Sequence, residues 1–87
     1  METINSLTFF QVTELRKKFL KIIAAEKKIT IDLQGLQECD VAGLQLLISL
    51  EKTANGVGKE LQLNNTPDFF HIAATAAGLD LQYFSVG

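Results

Sequence analysis

Residues 29–33 read Ile-Thr-Ile-Asp-Leu, and residues 39–47 read Cys-Asp-Val-Ala-Gly-Leu-Gln-Leu-Leu. The first stretch alternates apolar and polar side chains and begins with β-branched residues, which predicts a strand. In the second, Asp40 is a suitable N-cap, and apolar residues then lie almost all round the helix axis. We therefore expect a largely buried helix from Val41 to Asn55-Gly56, and the strand followed by this helix indicates an α/β fold.

The residues that precede this predicted strand and buried helix predict another strand and another helix. Residues 4–7 have the composition of a short first strand. Thr8 and Gln11, three positions apart, form the pattern of a capping box. An apolar stripe at helical spacing follows, which predicts an amphipathic helix; its members are Val12, Leu15, Phe19, Ile22 and Ile23.

The chain after the buried helix predicts the remaining elements. Residues 59–64 alternate as a strand. Thr66 as cap and Pro67 at the first helical position predict a third helix, which ends at Gly78. Residues 79–84 suggest a last strand. The order predicts one domain over residues 1–87, with a four- to five-stranded, largely parallel or mixed sheet and three main helices.

Composition excludes several classes of protein. The 87 residues are 47% hydrophobic with a net charge of −2, which suits one small core and argues against disorder. No apolar run approaches the length of a membrane span, so we expect no direct membrane insertion. A single cysteine and the lack of a signal-peptide pattern favour the cytoplasm.

Charge is distributed unevenly along the chain. Residues 1–28 carry a net charge of +3, and residues 29–87 carry −5. A basic segment is compatible with nucleic acid or a membrane surface. We prefer the interpretation that the lysines coat the solvent face of the first helix, because no aromatic residues interleave with them as stacking platforms. Nucleic acid is therefore not an expected partner.

Catalytic and metal-binding patterns are missing from the sequence. His71 is the only histidine and Cys39 the only cysteine, so neither has a second residue at an informative spacing. Residues 56–59, Gly-Val-Gly-Lys, come after a helix and before a strand, the reverse of a phosphate-binding loop. The sequence predicts no enzyme, no cofactor and no metal site.

Two loops are expected at the carboxyl edge of the sheet, where ligands tend to bind. One comprises residues 36–40 and the other residues 64–66. A helix N-terminus attracts anions, but the carboxylate of Asp40 already occupies that place in the first loop. The crevice near Asn64, Asn65 and Thr66 remains a weaker alternative for a nucleotide or lipid, because no glycine-rich cradle supports it.

The quoted stretches resemble the signature of the STAS domain family, which includes bacterial anti-sigma factor antagonists. Residues 63–79, with a proline-started helix closing on Gly-Leu, resemble its second landmark. The resemblance covers about residues 29–80 and implies a STAS-like α/β fold. Two features depart from the family: the N-terminal part before the first helix is short, and Val41 replaces the serine or threonine that partner kinases phosphorylate.

The resemblance implies a non-enzymatic module that docks a protein partner through the loop and start of the second helix. Val41 has no hydroxyl, so we expect no phosphorylation there. Its side chain either adds an apolar contact to the docking surface or packs inward, and the sequence does not decide between the two. The expected partner-binding residues are Glu38, Asp40, Val41, Gly43, Gln45 and Asn64.

The sequence leaves the partner open. An anti-sigma kinase-like protein, a chemotaxis kinase and a lipid-transporter subunit each fit a STAS module of this length. A further alternative is an anti-sigma factor antagonist phosphorylated at another hydroxyl, Ser49 or Thr53. Exposed edge strands also favour pairing with a second copy of the chain.

Overall fold

The computed structural model describes residues 2–79 and 85–86, and it confirms an α/β fold with three α-helices and parallel strands. In chain order the elements are β1 (Glu2–Thr3), β2 (Ser6–Leu7), a 3-10 turn (Phe9–Gln11), α1 (Val12–Ala25), β3 (Lys28–Asp32), β4 (Glu38–Cys39), α2 (Val41–Gly56), β5 (Glu60–Asn64), α3 (Asp68–Ala76) and β6 (Ser85–Val86). Residues 80–84 of the expected last strand lie outside the described residues.

The main sheet is parallel, with the strand order β1-β3-β5-β6. Because the strands are added in one direction, right-handed crossovers place the helices on one face. Burial agrees: Ile29, Ile31 and Leu63 are buried, whereas the alternate side chains of Thr30 and Gln62 are only half-buried. One face of the sheet therefore carries the core, and the other is polar.

The N-terminal segment corrects one prediction, because residues 4–7 do not form a single strand. β1 pairs with β3, and β2 pairs with β4 in a separate two-stranded ladder. Ile4 and Leu7 are both buried. Residues three apart point to opposite faces of a straight strand, so both side chains reach the core only if the strand breaks between them. The ladder places β2 beside the residues that enter α2.

The helices α1 and α2 form as their sequences predict. Gln11 Oε1 accepts a hydrogen bond from Thr8 N at 2.9 Å, and the Thr8 hydroxyl accepts one from Phe10 N, so the capping box is confirmed. Phe19 and Ile23 of the apolar stripe are buried. α2 is the central helix, and its core residues pack against the sheet and both other helices; they are Leu44, Leu46, Leu47, Leu50 and Ala54.

The start of α3 differs from the prediction. Pro67, not Thr66, is the N-cap residue, and the Thr66 hydroxyl lies 2.6 Å from His71 Nε2 instead of capping the helix. The expected glycine at the other end is confirmed, because Gly78 has a φ of +71° directly after the C-cap.

Candidate docking site

Asp40 joins the start of α2 to the turn that precedes α1. Its Oδ1 accepts a hydrogen bond from Gly43 N at 2.9 Å, and its Oδ2 accepts one from Phe9 N at 2.9 Å. The backbone N–H of Phe9, and then that of Gly43, hold the pKa of the Asp40 carboxyl below its ordinary value. The helix start is therefore already occupied by a carboxylate, and it is fixed to a second element.

Gly43 serves close packing, which corrects the expectation that it contacts a partner. It is buried one turn into α2, and a Cβ atom added there would lie 2.0 Å from the carbonyl oxygen of Leu7. The same Leu7 oxygen accepts a hydrogen bond from Asp40 N at 3.0 Å. Only a glycine allows β2 and α2 to approach this closely, and this approach fixes where α2 begins.

Val41 is the first residue of α2, and 49% of it is exposed. This exposure rules out the alternative in which the Val41 side chain packs inward. A shallow cavity of about 360 Å³ opens beside it, between α2 and α3. The cavity is mostly apolar and is lined by Cys39, Asp40, Val41, Leu44, Ala73, Ala76 and Ala77.

A second apolar depression continues this cavity along α3. It has a volume of about 410 Å³, and Ala76 lines both depressions. Ile72, which is 68% exposed, contributes its largest apolar side chain. The first depression lies between α2 and α3 and the second on α3 alone, and the two share Ala76; we call the surface that they line, from Val41 to Ile72, the α2–α3 groove. Large exposed apolar side chains beside a groove are typical of a protein-binding surface.

Two of the other expected residues flank Val41. Glu38 is exposed, and its Oε1 accepts a hydrogen bond from Ser6 Oγ at 2.7 Å. Gln45 is exposed one helical turn after Val41. The structure does not bring Asn64 to this cluster: Asn64 ends β5, and it lines a different depression of about 570 Å³ together with Lys28, Thr30 and Gln62.

The polar groups near the end of β5 bind one another. Asn65, in a left-handed conformation with φ of 54°, donates from Nδ2 to Asp32 Oδ1 at 3.0 Å. This hydrogen bond, followed by that from Gln34 N, lowers the pKa of Asp32. The Thr66 hydroxyl is engaged with His71. Asn65 Nδ2 and the Thr66 hydroxyl are therefore already engaged within the chain, and a small ligand at the crevice of residues 64–66 would compete with these contacts.

The single cysteine of the site is not set up as a nucleophile. Burial, and then the carboxylate of Asp40, raise the pKa of the half-buried Cys39 thiol, so the reactive thiolate is disfavoured. Within residues 2–79 and 85–86, no group of three or more His, Cys, Asp and Glu side chains is placed to hold a metal ion. No helix in that part of the chain is long and apolar enough to cross a bilayer.

Sequence reasoning missed two contributors to the exposed apolar surface. Phe9 and Phe10 lie next to Asp40, are 69% and 87% exposed, and belong to the 3-10 turn. The position of Phe10 was a usable signal, because it falls off the apolar stripe of α1, whereas Phe9 lies three residues before Val12 and continues the stripe. Ile72 carried no such signal, since its exposure depends on how α3 packs.

Comparison with known proteins agrees with this architecture. A protein-family model described as "Mlab, STAS domain" matches residues 5–83, which is most of the chain. The match includes both sequence landmarks and the whole of α1, α2 and α3. No curated protein matches the chain by sequence.

Proposed function

The chain belongs to the STAS domain family, and from this premise we propose that it is a non-enzymatic regulatory module that docks a protein partner through the start of α2. STAS domains are generally non-enzymatic, and the family supports a regulatory, anti-sigma factor antagonist-like role. The docking surface that we assign comprises Glu38, Asp40, Val41, Gln45 and the α2–α3 groove.

The observation that carries the proposal is the exposure of Val41. An apolar β-branched side chain at the solvent-facing start of a helix gains nothing from its position in the free chain, but it gains free energy when a partner covers it. The α2–α3 groove extends the apolar contact, and Glu38 and Gln45 supply a polar rim. An apolar centre with a polar rim is the usual composition of a protein interface.

The same residue supports docking without a phosphate switch. Phosphoryl transfer requires an oxygen nucleophile, and the valine side chain carries none. A phosphate placed at this position in relatives would add about −1.5 to −2 charge and alter docking. Val41 removes that control, so we expect the interaction to depend on the concentrations of the two proteins and not on a kinase acting at this site.

The test is a matched pair of substitutions on α2. Val41→Asp puts a charge into the proposed interface, whereas Val57→Asp puts the same charge on an equally apolar, 60% exposed residue at the other end of the helix. A photo-crosslinking residue at position 41, with one at 57 as control, first identifies the partner in cells. We expect Val41→Asp to weaken the measured affinity tenfold or more, about 1.4 kcal/mol, and Val57→Asp to leave it unchanged.

Equal affinities for the two variants would contradict the proposal. Circular dichroism of both variants checks that the fold is retained, because Asp at the first helical position suits the helix dipole, whereas Asp at the C-cap opposes it by about 0.3 to 1 kcal/mol.

An interaction that no phosphate controls is typical of a permanent subunit. We therefore favour a role as a subunit of a larger assembly, such as a chemotaxis or lipid-transport complex. A subunit that docks without phosphate control can remain bound through purification. Co-purification of chain and partner at a fixed stoichiometry supports this version, whereas an interaction seen only by crosslinking supports a transient regulatory contact.

The alternative of phosphorylation at another hydroxyl has a specific structural context. Ser49 is half-buried and accepts a hydrogen bond from Arg16 at 3.4 Å, and Thr53 donates to the Ser49 carbonyl at 3.0 Å. Incubation with candidate anti-sigma kinases and ATP, followed by intact mass, tests it. A stoichiometric gain of about 80 Da would show phosphorylation. If Ser49→Ala or Thr53→Ala removes this gain, the phosphorylated alternative replaces the proposal of docking without phosphate control.

A further inference from the structure

The turn that leads into α1 presents two exposed aromatic side chains, which we call the aromatic tip. Phe9 is 69% exposed and Phe10 is 87% exposed. Their rings meet edge to face, with centroids 5.9 Å apart, so they contact each other rather than the core. Exposed phenylalanines are costly in water, and two adjacent ones indicate a surface that is covered in another state.

The outer face of α1 continues the aromatic tip with basic residues. Counting from Phe10, Lys17 and Lys21 follow at i+7 and i+11, the spacing of one helix face. Leu20, 42% exposed, lies on the neighbouring stripe. The side chains of this outer face are solvent-exposed; they are Phe9, Phe10, Thr13, Glu14, Lys17, Leu20, Lys21 and Ala24. The face combines two cations, one acid and three large apolar side chains.

The cations of this face are not neutralised internally. Among the described residues, the salt bridge that forms on α1 joins Lys18 to Glu2 at 3.1 Å, and Lys18 lies off the outer face. Lys17 and Lys21 make no salt bridge within the described part of the chain, and Lys21 borders the depression that Glu2 and Glu26 also line. Arg16 is turned toward α2, where it donates a hydrogen bond to the Ser49 hydroxyl. The charge of Lys17 and Lys21 is therefore available to an anionic surface.

We propose that the outer face of α1 binds the surface of an anionic membrane, with the aromatic tip entering at the level of the headgroups. Basic helices with aromatic and leucine side chains on an exposed face bind lipid interfaces, where buried apolar area and attraction to anionic headgroups add. Neither depression of the α2–α3 groove is lined by Phe9 or Phe10. A protruding tip without a surrounding pocket suits a deformable lipid surface better than a rigid protein partner.

The contact is peripheral, so it agrees with the finding that no described helix is able to cross a bilayer. It is also independent of the docking surface, since it uses α1 and the proposed function uses α2 and α3. The hydrogen bond from Phe9 N to Asp40 Oδ2 makes the two surfaces neighbours, so a partner docked at Val41 would be held close to the membrane.

The experiment measures sedimentation of the purified chain with vesicles of phosphatidylcholine, with and without phosphatidylglycerol, at low and high salt. We expect binding to the vesicles that contain phosphatidylglycerol, and weaker binding at high salt, because salt screens the lysine–headgroup attraction. No binding to the anionic vesicles at low salt would overturn the proposal.

Two double variants and two matched controls assign the surface. Lys17→Gln with Lys21→Gln should lower the partition coefficient about fivefold for each lysine, and Phe9→Ser with Phe10→Ser should lower it tenfold or more. Lys52→Gln and Val57→Ser change an exposed lysine and an exposed apolar residue away from α1, and they should leave vesicle binding unchanged. Equal losses in the controls would overturn the assignment to α1.

Two further outcomes separate this proposal from the proposed function. Val41→Asp should retain full vesicle binding even if it abolishes partner binding. If the Phe9→Ser, Phe10→Ser chain binds vesicles normally but loses the partner identified at Val41, the aromatic tip belongs to the protein interface, and the membrane proposal is wrong.

Discussion

Gly43 is the residue at which the smallest substitution should have a large effect on folding. In Gly43→Ala the new methyl would lie 2.0 Å from the Leu7 carbonyl oxygen and 2.5 Å from its carbon, both backbone atoms. The backbone of β2 would have to move, and we expect a loss of about 2 kcal/mol or more in the free energy of unfolding. Thermal denaturation should show a melting temperature roughly 10 °C lower.

Gly56→Ala is the matched control, because a Cβ at Gly56 meets no atom within 4 Å. Alanine also favours the helix, so this variant should be unchanged or slightly more stable. Equal melting temperatures for the two variants would show that β2 and α2 do not approach as closely as described.

Asp40 gives the fold a pH dependence with a defined sign. Its pKa is lower in the folded chain than when unfolded, so its stabilisation is present above the unfolded pKa and is lost as pH falls through the folded pKa. Asp40→Ala should destabilise the chain by about 1 kcal/mol at pH 7, because the cap of α2 is lost. The difference from the wild type should shrink below about pH 4.

The measurement for Asp40 is urea denaturation at several pH values, with Asp68→Ala as the control. Asp68 lies in the first turn of α3, whose N-cap makes no side-chain hydrogen bond. A pH-independent difference between Asp40→Ala and the wild type would argue against a carboxylate cap.

At the scale of elements, α2 carries an unusual group for the central helix of a small domain. Glu51 is buried, its Oε1 accepts a hydrogen bond from Asn55 Nδ2, and its Oε2 has no partner among the described residues. Burial raises the pKa of Glu51, and nearby Glu60 adds to the effect. The neutral form is favoured in the folded chain, so Glu51 destabilises it increasingly as pH rises through the folded pKa.

Glu51→Met should therefore stabilise the chain at pH 7, by about 1 kcal/mol, because it replaces a buried carboxylate with an apolar side chain of similar length. The gain should shrink toward pH 4, where wild-type Glu51 is protonated. Glu14→Met on the exposed face of α1 is the control and should change little. A loss of stability in Glu51→Met at pH 7 would contradict the sign of this argument.

The elements were largely predictable because local signals decide most of them. Each of these signals lies within a few neighbouring residues: the alternation in residues 29–33, the capping box at Thr8 and the glycine after α3. The break between β1 and β2 depends on two different partners, because β1 pairs with β3 and β2 with β4, each about thirty residues away along the chain. Thr66 was misassigned as a cap because its hydroxyl finds His71 instead, a contact that only the packed helix provides.

The candidate site was predictable in part. Asp40 as a cap follows from residue type and position, whereas the exposure of Val41 depends on where α3 lies. Gly43 was expected to contact a partner, because the family pattern contains this glycine but does not reveal that Leu7 packs against it. Asn64 was expected at the same edge, but its side chain belongs to the polar face of the sheet.

At the scale of the whole molecule, the two proposed binding surfaces are neighbours, and the folded core fixes their relative position. The docking surface belongs to α2 and α3, in the acidic part of the chain, and the aromatic tip begins the basic part. Asp40 connects them through Phe9 and Gly43. Substitution of Phe10, Val41 or Ile72 should leave the stability of the fold nearly unaltered, since these side chains are exposed, whereas Asp40 also caps α2.

The most direct test of the docking surface is an NMR titration of the isotopically labelled chain with the crosslinked partner once it is purified. The backbone amides of residues 38–45 and 72–77 should shift or broaden first, because they surround Val41 and the α2–α3 groove. Perturbation confined instead to residues 28–30 and 60–64, on the polar side of the sheet, would contradict the account.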